Sequence, residues 1–233
     1  AAYELAAAQD ETRETAYTNI ALLRLAGGNI AQAEEALRAA STAGGEDAAV
    51  HAATGELHSA RRDWQNATTS YRAALGLAPS MPMAWVGLMR AAAMTGGRAP
   101  AEAVLDEWLA ADPESSPAWS ERGLLDYRDG KHDTAIEAIE KAVALDPANH
   151  EAANNLAWIY AETSRDLNRA RELVDGAIAS APSPSAYDTL AYIEQRMGNL
   201  PAALAAIERA AAMDPRNAEY RKKQDEIRRA IEQ

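Results

Sequence analysis

Five prolines keep time along the chain. Pro79, Pro113, Pro147, Pro182 and Pro215 follow one another at intervals of 34, 34, 35 and 33 residues. Three of them close nearly the same phrase: "LAADP" ends at Pro113, "VALDP" at Pro147 and "AAMDP" at Pro215. A fixed period near 34 residues marks a helix–turn–helix repeat. One such unit cannot bury its apolar face alone, so the units must stack and share a continuous core. The period sets out six units starting at Glu14, Ala48, Pro82, Ser116, His150 and Pro184, with one slip in the fifth near "TSRDLNRA".

Sterics test that register. Three positions of each unit should be small, because helices meet there backbone to backbone. The eighth reads Ala21, Gly55, Met89, Gly123, Ala157 and Ala191. The twentieth reads Ala33, Ala67, Ala101, Ala135, Ala170 and Ala203, and the twenty-seventh Ala40, Ala74, Trp108, Ala142, Ala177 and Ala210. Large residues fill the gaps: Tyr17, Trp85, Trp119 and Tyr187 at position four, and Leu37, Tyr71, Leu105, Ile139, Val174 and Ile207 at position twenty-four. The third unit is the odd one, with Met89 and Trp108 at two small positions. It is read either as a widened, well-packed helix pair or as a bend dividing the array. Asn29, Asp63 and Asn199 stand where a polar side chain caps a second helix, and Pro201 and Pro100 suit a first helical turn.

The unit "AWSERGLLDYRDGKHDTAIEAIEKAVALDP" resembles the tetratricopeptide repeat family through Trp119, Gly123, Gly130, Ala135, Ala142 and Pro147. It departs at Arg122 and Asp126, where that family prefers Leu and Tyr. The likeness extends over essentially the whole chain. It implies an all-α fold, a right-handed superhelical solenoid of antiparallel helix pairs. The expected organisation is a tail helix of a truncated preceding repeat (1–13, with Tyr3 and Ala6 in register), repeats at 14–47, 48–81, 82–115, 116–149, 150–183 and 184–217, and a capping helix at 218–233. The cap carries Tyr220, Ile227 and Ile231 on one face. The opening half-repeat suggests a chain cut from a longer solenoid.

Composition narrows the function. The 233 residues include no cysteine, so disulfides, thiolate nucleophiles and Cys-ligated metals are excluded. The net charge of −12 argues against a nucleic-acid partner. The last 18 residues are weakly basic, which suits a solvated cap. No run of 18 apolar residues offers a membrane span. The chain has no Gly-rich phosphate loop, HExxH or GxSxG motif. His51 and His58, seven apart on one helix, read as structural. His132 and His150 are unpaired. The chain is expected to be no enzyme and to hold no metal or cofactor.

In the resembled family the first helix of each unit lines a concave face through positions two, five, nine, twelve and thirteen. Carried over, these give Thr18, Leu22 and Leu25; Ala52, Glu56 and Ser59; Met83, Val86, Arg90 and Met94; Ser120, Leu124, Tyr127 and Arg128; Glu151, Asn154, Trp158 and Glu162; Asp188, Tyr192, Gln195 and Arg196. The candidate partner-binding residues are Leu22, Leu25, Val86, Arg90, Met94, Leu124, Tyr127, Arg128, Trp158, Tyr192 and Arg196. Trp158 is the one tryptophan at a groove position; the alternative is that a neighbouring helix or the cap covers it. Some relatives grip a C-terminal carboxylate with Lys and Asn. The matching places here are Thr18, Leu22, Ala53 and Met83, then Ser120, Leu124, Asn155 and Ser185, so that clamp is not expected.

Two functions remain in view. One is a non-catalytic module that holds a peptide or helix of a partner protein in the groove through apolar anchors. The other is a self-associating scaffold, a homo-oligomer without a groove ligand. The stretches "NNLAWIYAE" and "YDTLAYIEQRMGNLPAALAAIERAAAMDP" also resemble the C-terminal repeats of bacterial envelope proteins of exopolysaccharide export and sorting systems. That likeness implies a periplasmic or membrane-associated assembly role, with a cytoplasmic one as the alternative.

Overall fold

The computed structural model describes residues 13–44 and 47–232. Thirteen α-helices and no strand occur among the described residues. The chain divides after Pro113 into two compact units. The first contains α1 (Arg13–Ala26), α2 (Ile30–Gly44), α3 (Ala48–Ala60), α4 (Trp64–Leu77), α5 (Pro82–Gly96) and α6 (Arg98–Ala111). The second contains α7 (Ser116–Arg128), α8 (His132–Leu145), α9 (His150–Glu162), α10 (Leu167–Ser180), α11 (Pro184–Arg196), α12 (Leu200–Met213) and α13 (Ala218–Ile231). The expected tail of an earlier helix, with Tyr3 and Ala6, lies outside the described residues.

Within each unit the helices pack as consecutive pairs, α1 with α2 through α11 with α12. The turns inside pairs are too short for anything but an antiparallel return. First helices also touch the next first helix, α1 on α3 and α3 on α5, then α7 on α9 and α9 on α11. The last helix, α13, lies on α12. Its Ile227 is buried, Tyr220 is half-buried and Ile231 is exposed, so the cap is held mainly through one side chain.

The small positions explain how pairs approach so closely. All six alanines at the twentieth position are buried, as is every large residue at the twenty-fourth. A β-carbon on Gly123 would lie 2.2 Å from Cγ1 of Ile139, so the glycine makes room for its partner helix. In the third repeat the substitute for a small residue is a second aromatic. Trp108 is 1% exposed and its ring stacks on Trp85 at 6.0 Å and 7°. Trp85 Nε1 donates to the Pro79 carbonyl at 2.7 Å. The extra volume is well packed, as a widened pair requires. Met89 is half-buried.

Helix starts follow local chemistry. Side chains of Asp47, Asp63, Ser115, Asn149, Asp166, Ser183, Asn199 and Asn217 accept from free N–H groups of the first turns. The turn inside a pair needs one left-handed residue. Gly28, Gly130 and Gly198 supply it, whereas Arg62 (φ 60°) and Ser164 (φ 54°) adopt it despite a β-carbon. The slip in the fifth repeat falls in this turn, which runs from Thr163 to Asp166 and is one residue longer than the turn between α7 and α8.

Candidate functional site

The second unit brings four expected residues onto one sequence-coherent strip. Leu124 and Tyr127 of α7, Trp158 of α9 and Tyr192 of α11 are all half-buried and rest on the same apolar core. The Trp158 ring meets Tyr127 edge to face, with centroids 4.9 Å apart and planes at 68°. Such aromatic pairs favour this geometry because a positive ring edge faces a negative ring face. Tyr127 also lies 5.0 Å from the His132 ring. Trp158 is therefore neither sealed in the core nor fully open: it packs on the core and against Tyr127, and only part of its surface is accessible. Burial, then the Glu162 charge and Tyr192, push the Tyr127 phenol above its usual range, so it stays a neutral hydrogen-bonding group at ordinary pH.

Arg196 is held against this strip. Its Nη1 donates to the Tyr192 hydroxyl at 3.0 Å, its Nη2 donates to Ser164 Oγ, and its guanidinium stands 5.8 Å from the Tyr192 ring centre. Arg128 is exposed at the end of α7.

In the first unit, Leu22 and Leu25 are half-buried on a core of Ala21, Ala33, Ala36, Leu37, Ala53 and Leu57. On α5, Val86 is half-buried, Met83 is exposed and Met94 is 58% exposed. Arg90 is engaged by its neighbours: Nη2 donates to both oxygens of Glu56 at 2.8 Å and to the Tyr71 hydroxyl at 3.3 Å. The Tyr71 hydroxyl donates to Glu56 Oε1 at 2.8 Å and sits 3.1 Å from Ser59 Oγ. Burial above all, with the Glu56 carboxylate as acceptor, pushes this phenol up to about 12.

Several positions that the resemblance places on the concave face are covered. Thr18, Ala52, Ser59 and Ser120 are buried. The Thr18 hydroxyl donates back to the Glu14 carbonyl at 2.9 Å within α1, Ser59 Oγ lies 3.1 Å from the Tyr71 hydroxyl of α4, and Asn155 Nδ2 donates to Ser120 Oγ at 3.4 Å across α7 and α9. Sequence reasoning did not pair Glu56 with Arg90. The signal was present, since opposite charges stand at the ninth position of consecutive repeats.

The site also holds a cavity of ≈ 300 Å³, lined by His150, Glu151 and Asn154 of α9 together with Ser183, Ser185 and the α10 wall. It was not foreseen, because Ser185 reaches it from the following repeat. Among the described residues no group of three or more His, Asp or Glu is placed to hold a metal. No described helix is long and apolar enough to cross a membrane.

Tetratricopeptide repeat models match residues 127–191 in one case and residues 18–82, 52–116 and 189–224 in another. The matches take in most of the chain, and the chain belongs to the tetratricopeptide repeat family. It is by class a protein–protein interaction module. Among curated proteins it is 27% identical over 103 residues to a BBSome complex member BBS4 homolog of Drosophila melanogaster, a match covering 44% of this chain and 21% of that protein. Its structure is similar to that of the APC/C hetero-tetramer Cut9–Hcn1, with a TM-score of 0.70 at 13% identity over 97% of this chain and 45% of that one. It is also similar to pilF of Pseudomonas aeruginosa, with a TM-score of 0.60 at 21% identity over 93% of this chain and 99% of that one. These two structural likenesses speak for the fold.

Proposed function

We propose that this chain is a non-catalytic module that holds a peptide or helix of a partner protein on its first-helix face, anchored at Leu124, Tyr127, Trp158 and Tyr192. The single observation behind this reading is the pairing of Tyr127 and Trp158. Two large rings, fixed by their mutual edge contact yet partly exposed, offer rigid area at small entropic cost. Pre-formed anchors of this kind suit an amphipathic helix or an extended segment with apolar residues. Arg196, already oriented by Tyr192, is a directed donor for a partner carbonyl or carboxylate. Val86, Met94, Leu22 and Leu25 form a second candidate surface on the first unit; methionines adapt to varied partners there. Arg90 contributes shape more than charge, because Glu56 neutralises it.

The setting we propose is a bacterial envelope or secretion assembly, on the likeness of the last repeats to envelope proteins of exopolysaccharide systems. The test is photo-crosslinking from position 158 in extract of the source organism. Capture of one foreign protein, lost in Tyr192→Asp or Leu124→Asp, supports the reading. Recovery of peptides from this chain alone sinks it and favours the self-associating scaffold.

A further inference from the structure

A charged pair interrupts an apolar stripe in the first unit. Met83, Val86, Arg90 and Met94 share one face of α5, since residues three and four apart align on a helix. Val86 is half-buried, and Met83 and Met94 are exposed. Arg90 stands among these side chains with Glu56 of α3 beside it. The two charges cancel, yet neither group is saturated. Arg90 is engaged through Nη2 alone, by both Glu56 oxygens at 2.8 Å and by the Tyr71 hydroxyl at 3.3 Å. Its Nε and Nη1 make no bond to a described residue, which leaves three of five N–H donors. Glu56 Oε1 accepts from both Tyr71 and Arg90, whereas Oε2 accepts from Arg90 alone, and a carboxylate oxygen has room for two bonds. The Arg90 side chain is 47% exposed and that of Glu56 27%, so both reach solvent. The Tyr71 hydroxyl, 3.1 Å from Ser59 Oγ, holds the pair from its buried side.

Resting on the groove reading above, we infer that the Glu56–Arg90 pair is a subsite for an uncharged carboxamide side chain, asparagine or glutamine, of the bound segment. A carboxamide sets one carbonyl acceptor beside two N–H donors. The carbonyl accepts from Arg90 Nε or Nη1, and the NH₂ group donates to Glu56 Oε2. A carboxylate gains from Arg90 but meets Glu56 with like charge and no donor, and it costs more to take out of water. An ammonium meets the like charge of Arg90 and brings no acceptor. An aliphatic side chain strips water from both polar edges and returns no hydrogen bond. The apolar neighbours of the carboxamide rest on Val86 and Met94, which flank Arg90 one turn to either side.

The experiment uses the whole ¹⁵N-labelled chain and four capped tripeptides, acetyl-Leu-Xaa-Leu-methylamide with asparagine, aspartate, leucine or lysine in the middle. The first three middle residues are nearly the same shape, so they differ in polarity and charge. The asparagine probe is expected to shift the Arg90 Nε–H signal along a saturable curve and to bind at least threefold more tightly than the others. Glu56→Gln removes the neutralising charge and should invert the order, with the aspartate probe tightest. Arg90→Met, at a half-exposed site, should erase the differences. An aspartate or leucine probe that matches asparagine in the parent chain overturns the inference without recourse to any variant. So does an Arg90 signal that the asparagine probe leaves unmoved, or an order unchanged in Glu56→Gln. The two readings fail separately. A partner captured at position 158 while Arg90 answers no probe keeps the aromatic strip and removes this subsite. The expected order at Arg90, with only peptides of this chain captured, keeps the subsite and removes the strip as an anchor.

Discussion

A β-carbon added to Gly87 would stand 2.3 Å from Cζ of Tyr71. The ring cannot retreat, because on its other side the same atom on Gly55 would lie 2.5 Å from Cε1. Tyr71 thus bridges α3 and α5 with its flat faces against two bare backbones. Gly87→Ala should destabilise the first unit by about 1–3 kcal/mol, the range for overpacking a filled core, even though alanine is the better helix former. Pairing it with Tyr71→Leu should recover part of the loss. Equilibrium urea unfolding of the single and double variants checks both; a neutral Gly87→Ala would show that the ring has room to move.

The same phenol makes stability depend on pH at the alkaline end. Its folded value is raised from 10.0 to about 12, so the folded state holds this proton more tightly than the unfolded state. The contribution is complete below about pH 10 and is lost as pH climbs towards about 12. Tyr160 is raised to about 12 as well, by burial first and then by its bond to Glu140. Unfolding free energies measured in steps above pH 9 should fall with pH. The fall should be shallower in Tyr71→Phe, and shallower still when Tyr160→Phe is added.

Trp108 stacks on Trp85 inside the widened third pair. Trp108→Ala should leave a cavity and cost about 3–5 kcal/mol, whereas Trp108→Phe should cost less. Differential scanning of the two variants decides it, and an unchanged melting temperature in Trp108→Ala would contradict the packing described.

Arg62 occupies a left-handed turn position that Gly28, Gly130 and Gly198 fill in other repeats. Left-handed backbone costs a residue with a β-carbon about 1–2 kcal/mol. Arg62→Gly should therefore raise stability by about 1 kcal/mol after allowing for the greater entropy of glycine when unfolded. Gly130→Ala should lower it by a similar amount. Thermal melts of the pair, compared with the parent chain, must move in opposite directions.

Much of this fold can be read without coordinates because its constraints are local and repeated. The 34-residue period, the six alanines at the twentieth position and the polar caps before helix starts each follow from steric or hydrogen-bonding demands within one repeat. The first-helix origin of Leu124, Tyr127, Trp158 and Tyr192 is equally a matter of phase. Phase does not say how much of a side chain neighbours will cover. Thr18, Ala52, Ser59 and Ser120 share groove positions with accessible residues yet are buried, Ser59 against Tyr71 of α4 and Ser120 beside Asn155 of the next first helix. Arg90 looks like a free cation until Glu56 and Tyr71 are found around it. The edge contact of Tyr127 with Trp158, and the cavity that joins Asn154 to Ser185, arise between residues about thirty apart in sequence. Such relationships depend on the distance and angle between packed helices, quantities that no single repeat contains.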